Sequence, residues 1–198
     1  MRQRFRDFAR PVEEEPLPRV DVLLVQTREE HAWVEAAEAS VAQQSYPNTG
    51  LWVIDNKDRS LQLGAAWNIG VQASTAELVL LLREEDMLTA DLVDTLVTFW
   101  HAGKRSTPSL VHVTNFITLL DERTGRMGTA PLAHAGMFLR SMLVEQPFSA
   151  ELDHTAPNEV LERLKQASTG PITFGVAHHH GYVWRNHDFR IDRINVQA

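Results

Sequence analysis

Apolar residues follow two rhythms along this chain. Val20-Asp-Val-Leu-Leu-Val25, Leu51-Trp-Val-Ile54 and Leu78-Val-Leu-Leu-Leu82 are nearly unbroken apolar runs. Such runs predict strands buried on both faces, as in a parallel sheet. Between them the spacing turns helical. Thr27-Arg-Glu-Glu30 has the capping-box pattern and predicts a helix from about Arg28 to Gln43. Tyr46-Pro-Asn-Thr-Gly50 reads as a turn, which completes a βαβ unit with a right-handed crossover. Leu61 to Ala73 predicts a second helix. Thr89 is placed to cap a third over Ala90 to Ala102, with Leu92, Leu96 and Phe99 on one face. Leu110 to Leu120 alternates partly and reads as a strand. The polar turn Asp121-Glu-Arg-Thr-Gly125 then predicts a hairpin return through Met127. Met137 to Val144 is a short apolar element. Pro157 suits the first turn of a last helix ending near Ala167, and Ile172 to Val176 and Tyr182 to Trp184 read as closing strands. The expected fold is α/β: a mostly parallel central sheet flanked by helices, with a small antiparallel part towards the C-terminus.

The chain's 198 residues suit one such domain, expected over 20–198. Residues 1–19 hold Pro11, Pro16 and Pro18, with four arginines in the first ten positions, and read as a flexible leader. No apolar core follows those first basic residues, so no secretory signal is expected, and no apolar run reaches membrane-spanning length. Cysteine is absent, which excludes thiolate metal sites and points to a cytoplasmic location. A net charge of -7 opposes broad nucleic-acid binding. No G-x-G-x-x-G follows the first strand, which opposes a dinucleotide-binding oxidoreductase. Ligands of open parallel sheets bind beyond the carboxyl ends of the strands. Asp55 ends the second strand there, either to accept hydrogen bonds from a ligand or to close a turn. Gln26, Thr27 and Arg28 follow the first strand into the same region.

Several segments, in order from Val20 to Arg185, resemble the family 2 glycosyltransferases of the GT-A fold. They are Val20 to Val25, Ser40-Val-Ala-Gln-Gln-Ser-Tyr-Pro-Asn48, Val53-Ile-Asp-Asn56, Ala66-Trp-Asn-Ile-Gly70, Leu81-Leu-Arg-Glu-Glu-Asp-Met87 and Ala135-Gly-Met-Phe-Leu-Arg140. The Ser40 to Asn48 turn is the most specific piece. The resemblance implies transfer of a sugar, with inversion, from a nucleotide-diphosphate donor to an acceptor hydroxyl. A UDP-sugar is the first choice of donor, and the acceptor is unknown.

The same resemblance assigns roles. Gln26, Thr27, Arg28, Asp55, Asn68, Arg83 and Glu84 would bind the donor, with Asp55 on the base or ribose. Trp67 stands where the family commonly has an arginine. The family's aspartates bind a divalent metal. Here Arg83 takes the first acidic position, Glu85 the second, and Asp86 is retained. Glu85 and Asp86 could still hold Mn²⁺ or Mg²⁺, or Arg83 could itself pair with the diphosphate. His178-His179-His180 stands where the family often has a late metal-binding histidine. His178 and His180 could share one strand face. The acidic pair expected before the late helix is replaced by Ala156-Pro157, which leaves Asp153 first and Glu159 second as catalytic base. Tyr182, Trp184 and Arg185 would stack on a sugar, contact phosphate or pack in the core. Two competing readings remain: a catalytically silent GT-A-like nucleotide-binding or scaffold protein, and a viral-type glycosyltransferase of nucleic-acid bases.

Overall fold

The structure, a computed structural model, describes residues 17–28, 32–107, 109–122, 124–167 and 173–186. Most of the expected leader, 1–16, and the Glu29–Glu30 half of the expected capping box lie outside these ranges, as does Ile172.

Seven strands form one sheet: β1 (Val20–Gln26), β2 (Thr49–Asp55), β3 (Leu78–Arg83), β4 (Met87–Leu88), β5 (Leu110–Asp121), β6 (Arg126–Leu139) and β7 (Thr173–Asn186). Their order across the sheet is β2-β1-β3-β6-β5-β7-β4. β2, β1 and β3 run parallel, β6 enters antiparallel to β3 and β5, β7 is parallel to β5, and β4 is antiparallel to β7. The helices are α1 (Ala32–Ala42), α2 (Leu63–Ala73), α3 (Leu92–Ser106), α4 (Arg140–Glu145) and α5 (Ala156–Ala167). No helix among the described residues is long and apolar enough to cross a membrane.

The apolar runs explain the layering. Alternate residues of a strand face opposite sides of a sheet. Val22, Leu24, Leu80 and Leu82 pack with Ala37 of α1 and Leu92, Leu96 and Trp100 of α3. Leu23, Val25, Val79 and Leu81 pack on the other face with Ala66 and Trp67 of α2 and Val160 and Leu164 of α5. Both faces of β1 and β3 are therefore dry. Gly70 lets α2 lie close to this face, since a Cβ there would stand 3.0 Å from Ile54 and 3.2 Å from Leu23.

Four expectations need correction. β2 is the edge strand, so Leu51, Trp52 and Val53 are 36%, 39% and 42% exposed and only Ile54 is buried. Thr89 does not cap α3. Its hydroxyl donates to Asp91, and the buried stripe of α3 runs Leu92, Val93, Leu96, Val97 and Trp100, leaving Phe99 partly exposed. The segment Met137 to Val144 splits between the end of β6 and α4, and the two closing strands are one, β7.

The Ser40 to Asn48 segment fastens the scaffold. The Gln44 amide donates to the carbonyls of Ser40 and Thr89 and accepts from the Val93 amide in the first turn of α3. The Tyr46 hydroxyl and the Asn48 amide donate to the carbonyls of Pro18 and Leu17, just before β1. At the same end of the sheet, Asp21 is buried and accepts from Ser74, Trp52 and Arg19. Burial would raise its pKa, but these three hydrogen bonds together outweigh that and hold it low.

His112 on β5 is buried, with Nδ1 on the Met137 carbonyl and its ring 4.1 Å from that of Phe138. Burial pushes its pKa down to about 3. An unfolded histidine titrates near 6.5. Between those values the unfolded chain binds a proton that the folded chain does not, so stability falls as pH drops below about 6.5. The loss approaches about 1.4 kcal/mol per pH unit, or about 2 kcal/mol by pH 5. His112→Phe should remove that part of the acid sensitivity, read as the difference between urea midpoints at pH 7 and pH 5. An unchanged difference would clear His112 of responsibility.

Candidate active site

A cavity of about 250 Å³ opens at the carboxyl ends of β1 and β3. Such strand ends are where ligands bind in open α/β sheets. β1 contributes Val25 and continues into Thr27 and Arg28. The segment after β2 contributes Asn56, Arg59 and Gln62, and β3 ends in Arg83 and leads into the turn residues Glu84 and Glu85. Asp153, from the loop before α5, completes the wall from a distant part of the chain.

Three consecutive acids take three separate tasks. Glu84 is buried and closes the turn after β1, where it accepts from the Thr27 amide at 2.8 Å, the Thr27 hydroxyl at 2.6 Å and the Arg28 amide at 3.2 Å. The Thr27 hydroxyl thus reaches 57 residues along the chain, and the described part of α1 begins at Ala32. Glu85 lies between two guanidinium groups, with Oε1 3.0 Å from Arg28 and Oε2 2.9 Å from Arg83. Asp86 is fully buried and turned away. Its Oδ2 accepts from the Tyr182 hydroxyl at 3.0 Å and its Oδ1 from the Arg185 amide at 3.2 Å.

The arginines are held on their other sides too. Arg28 stacks over Trp33 at 5.3 Å and Arg83 over Trp184 at 5.8 Å. Arg185 is buried behind the turn and donates to the carbonyls of Glu85 and Trp33. Tyr182, Trp184 and Arg185 therefore serve as backing for the site. Arg59 adopts φ 52°, a left-handed conformation that costs a non-glycine residue on the order of 1 kcal/mol. Reciprocal bonds between the Asn56 side chain and the Leu61 backbone fix this loop, and Arg59 donates to the Thr27 carbonyl.

Thr27, Arg28, Arg83, Glu84, Glu85 and Asp153 are thus brought together around one cavity. The other expected residues lie elsewhere. Gln26 folds back onto the Arg28 carbonyl. Asp55 sits on the rim with a 70% exposed side chain, beside Lys57 and in an adjoining open depression. Asn68 pairs through both ends of its amide with the Phe148 backbone. That tie, with the Gly64 amide on the Leu152 carbonyl, anchors the loop carrying Asp153. Trp67 is buried against Phe148. Glu159 bonds Arg163 and Ser149, which outweigh its slight burial and hold its carboxyl below the usual range.

His178 and His180 are exposed on β7, where the β5–β7 register shifts. Among the described residues no three His, Asp or Glu side chains form a group able to hold a metal. The acidic turn itself fits a divalent cation poorly, because five of its six carboxylate oxygens already accept hydrogen bonds and the sixth, Oε2 of Glu85, lies 2.9 Å from the Arg83 guanidinium. Asn56, Arg59 and Gln62 line the cavity without having been singled out as its residues from sequence. Asn56 was visible only as the end of a strand motif, and Arg59 carried no signal.

Comparison with known proteins bears on the fold. No family model matches the chain, and no curated protein does. Solved structures of TarS from S. aureus do match. The TarS 1–349 complex with UDP-GlcNAc superposes with a TM-score of 0.61 at 12% identity, over 87% of this chain and 60% of that one. The complex with UDP gives 0.58 at 13% identity, over 84% and 60%. The chain has a GT-A-like α/β fold and spans 60% of the length of these TarS fragments.

Proposed function

We propose that this protein is a nucleotide-sugar-dependent glycosyltransferase that takes its donor, with a UDP-sugar as first choice, in the cavity beyond β1 and β3. The observation that carries this reading is the convergence of Arg28, Arg59, Arg83 and Asp153, from four separate segments, on one cavity at the strand ends. Likeness in fold to TarS, solved with UDP-GlcNAc and with UDP, supports it.

In the reaction, an acceptor hydroxyl gives its proton to the Asp153 carboxylate as its oxygen attacks the anomeric carbon. The bond from that carbon to the diphosphate oxygen breaks from the opposite face, and its electron pair leaves with the diphosphate. The product is inverted at the anomeric carbon. The arginines meet the charge that develops on the leaving group. The absence of cysteine fits a cytoplasmic setting for this reaction.

A second reading is a domain that binds the donor without transferring it. Ala156 and Pro157, in the first turn of α5 where the family's acidic pair is expected, favour it. Calorimetry and thermal shift with a panel of nucleoside diphosphates and nucleotide-sugars test the donor site. At a hundredfold excess over Kd, the matching ligand should stabilise the fold by about 2.7 kcal/mol. No response to any member would sink both readings, and binding with no release of sugar would select the second.

A further inference from the structure

We infer that the donor diphosphate is bound without a divalent cation, by Arg28, Arg59 and Arg83, with Glu85 as the internal anion that holds Arg28 and Arg83 in place. This rests on the donor-site reading above and extends it to the chemistry of the phosphate subsite.

The acidic turn cannot take up a metal as it stands. Glu84 uses both carboxylate oxygens to close the turn at Thr27 and Arg28. Asp86 uses both on β7 and is fully buried. Glu85 lines the cavity beside Glu84, and each of its oxygens lies near a guanidinium, at 3.0 Å and 2.9 Å. A cation placed on Glu85 would stand against two fixed positive charges.

The same arrangement suits a diphosphate. Guanidinium groups meet phosphate oxygens with paired, planar N–H donors. Arg28 and Arg83 would repel each other if brought together alone. Glu85 offsets that repulsion and spaces them one carboxylate apart. Trp33 and Trp184 fix the planes of the two groups. Arg59 adds a third cation from an exposed loop whose left-handed turn is locked by Asn56. Three guanidinium groups and three carboxylates, those of Glu84, Glu85 and Asp153, line the cavity, so the arginines would meet the diphosphate through directed N–H donors rather than through a net positive charge.

The test is calorimetric titration of the full chain with UDP and with inorganic pyrophosphate, in EDTA and in Mn²⁺. UDP should bind in EDTA with an affinity within about threefold of that in Mn²⁺. Arg83→Gln should weaken it by ten- to a hundredfold. Arg59 is exposed and gives up one long hydrogen bond, to the Thr27 carbonyl, so Arg59→Ala should lower the melting temperature little while losing about tenfold in affinity, which separates binding from folding. Binding of UDP that requires Mn²⁺ would overturn the inference and leave the donor reading standing. Pyrophosphate bound in EDTA with no nucleotide bound would keep the arginine subsite and overturn the donor reading. Failure of both ligands in both buffers would end both.

Discussion

Asp153→Asn should slow release of sugar from the bound donor by on the order of 10²- to 10⁴-fold, the range for removing a positioned general base, while leaving nucleotide affinity unchanged. Asp153 faces the cavity with an exposed carboxylate that makes no hydrogen bond or ion pair among the described residues. Its backbone is nonetheless fixed. The Ala156 amide bonds the Asp153 carbonyl, the Gly64 amide bonds the Leu152 carbonyl, and Asn68 holds Phe148. A carboxylate held in place but not spent on structure is what proton transfer from an acceptor requires. Asparagine has the same shape but cannot take the proton. Glu159→Gln provides the contrast, since Glu159 already serves Arg163 and Ser149 and its loss should not change the rate. Nucleoside diphosphate released with water as acceptor gives the readout. Equal rates for wild type and Asp153→Asn would remove Asp153 from the reaction.

Asp86→Ala should lower the unfolding free energy by about 3 kcal/mol, since two buried donors lose their acceptor at about 1–3 kcal/mol each. For a chain of this size that corresponds to a melting temperature lower by roughly 6–12 °C. The donors are the Tyr182 hydroxyl and the Arg185 amide, and the Arg185 guanidinium beside them is itself nearly buried. Asp86→Asn should cost far less. Its carbonyl can still accept from the Arg185 amide while its NH₂ donates to the Tyr182 oxygen. Thermal melts of the two variants decide the matter: an alanine variant as stable as wild type would mean that Asp86 does not pin the turn to β7.

How much was legible in sequence depended on how local the cause was. β1 and β3 were plain because strands dry on both faces need continuous apolar residues. β2 carries a similar run, but whether a strand lies inside a sheet or at its edge is set by strand order, which no local pattern encodes. The Thr27 hydroxyl donates to Glu84, far along the chain, a partner that no local spacing reveals. The most specific motif, Ser40 to Asn48, marks a brace between α1, α3 and the start of β1 rather than a site. Asn68 drew notice, yet its work is to hold the loop of Asp153. In the acidic turn, sequence located the carboxylates but not their directions. Outside regular structure there is no period to say which way a side chain points, and Glu84, Glu85 and Asp86 face three different groups of partners.

The fastening of that turn to β7 has a consequence for how the protein comes into being. The contacts of Asp86 and Glu85 with Tyr182 and Arg185 span 96 to 100 residues of chain. Contacts of such long range form late, because a large loop must close before they are made. A growing chain therefore presents Arg28, Arg59 and Arg83 well before the strand that secures the turn between them has been synthesised. The turn between these arginines is secured only when β7 docks, so this corner of the molecule is among the last to be fixed.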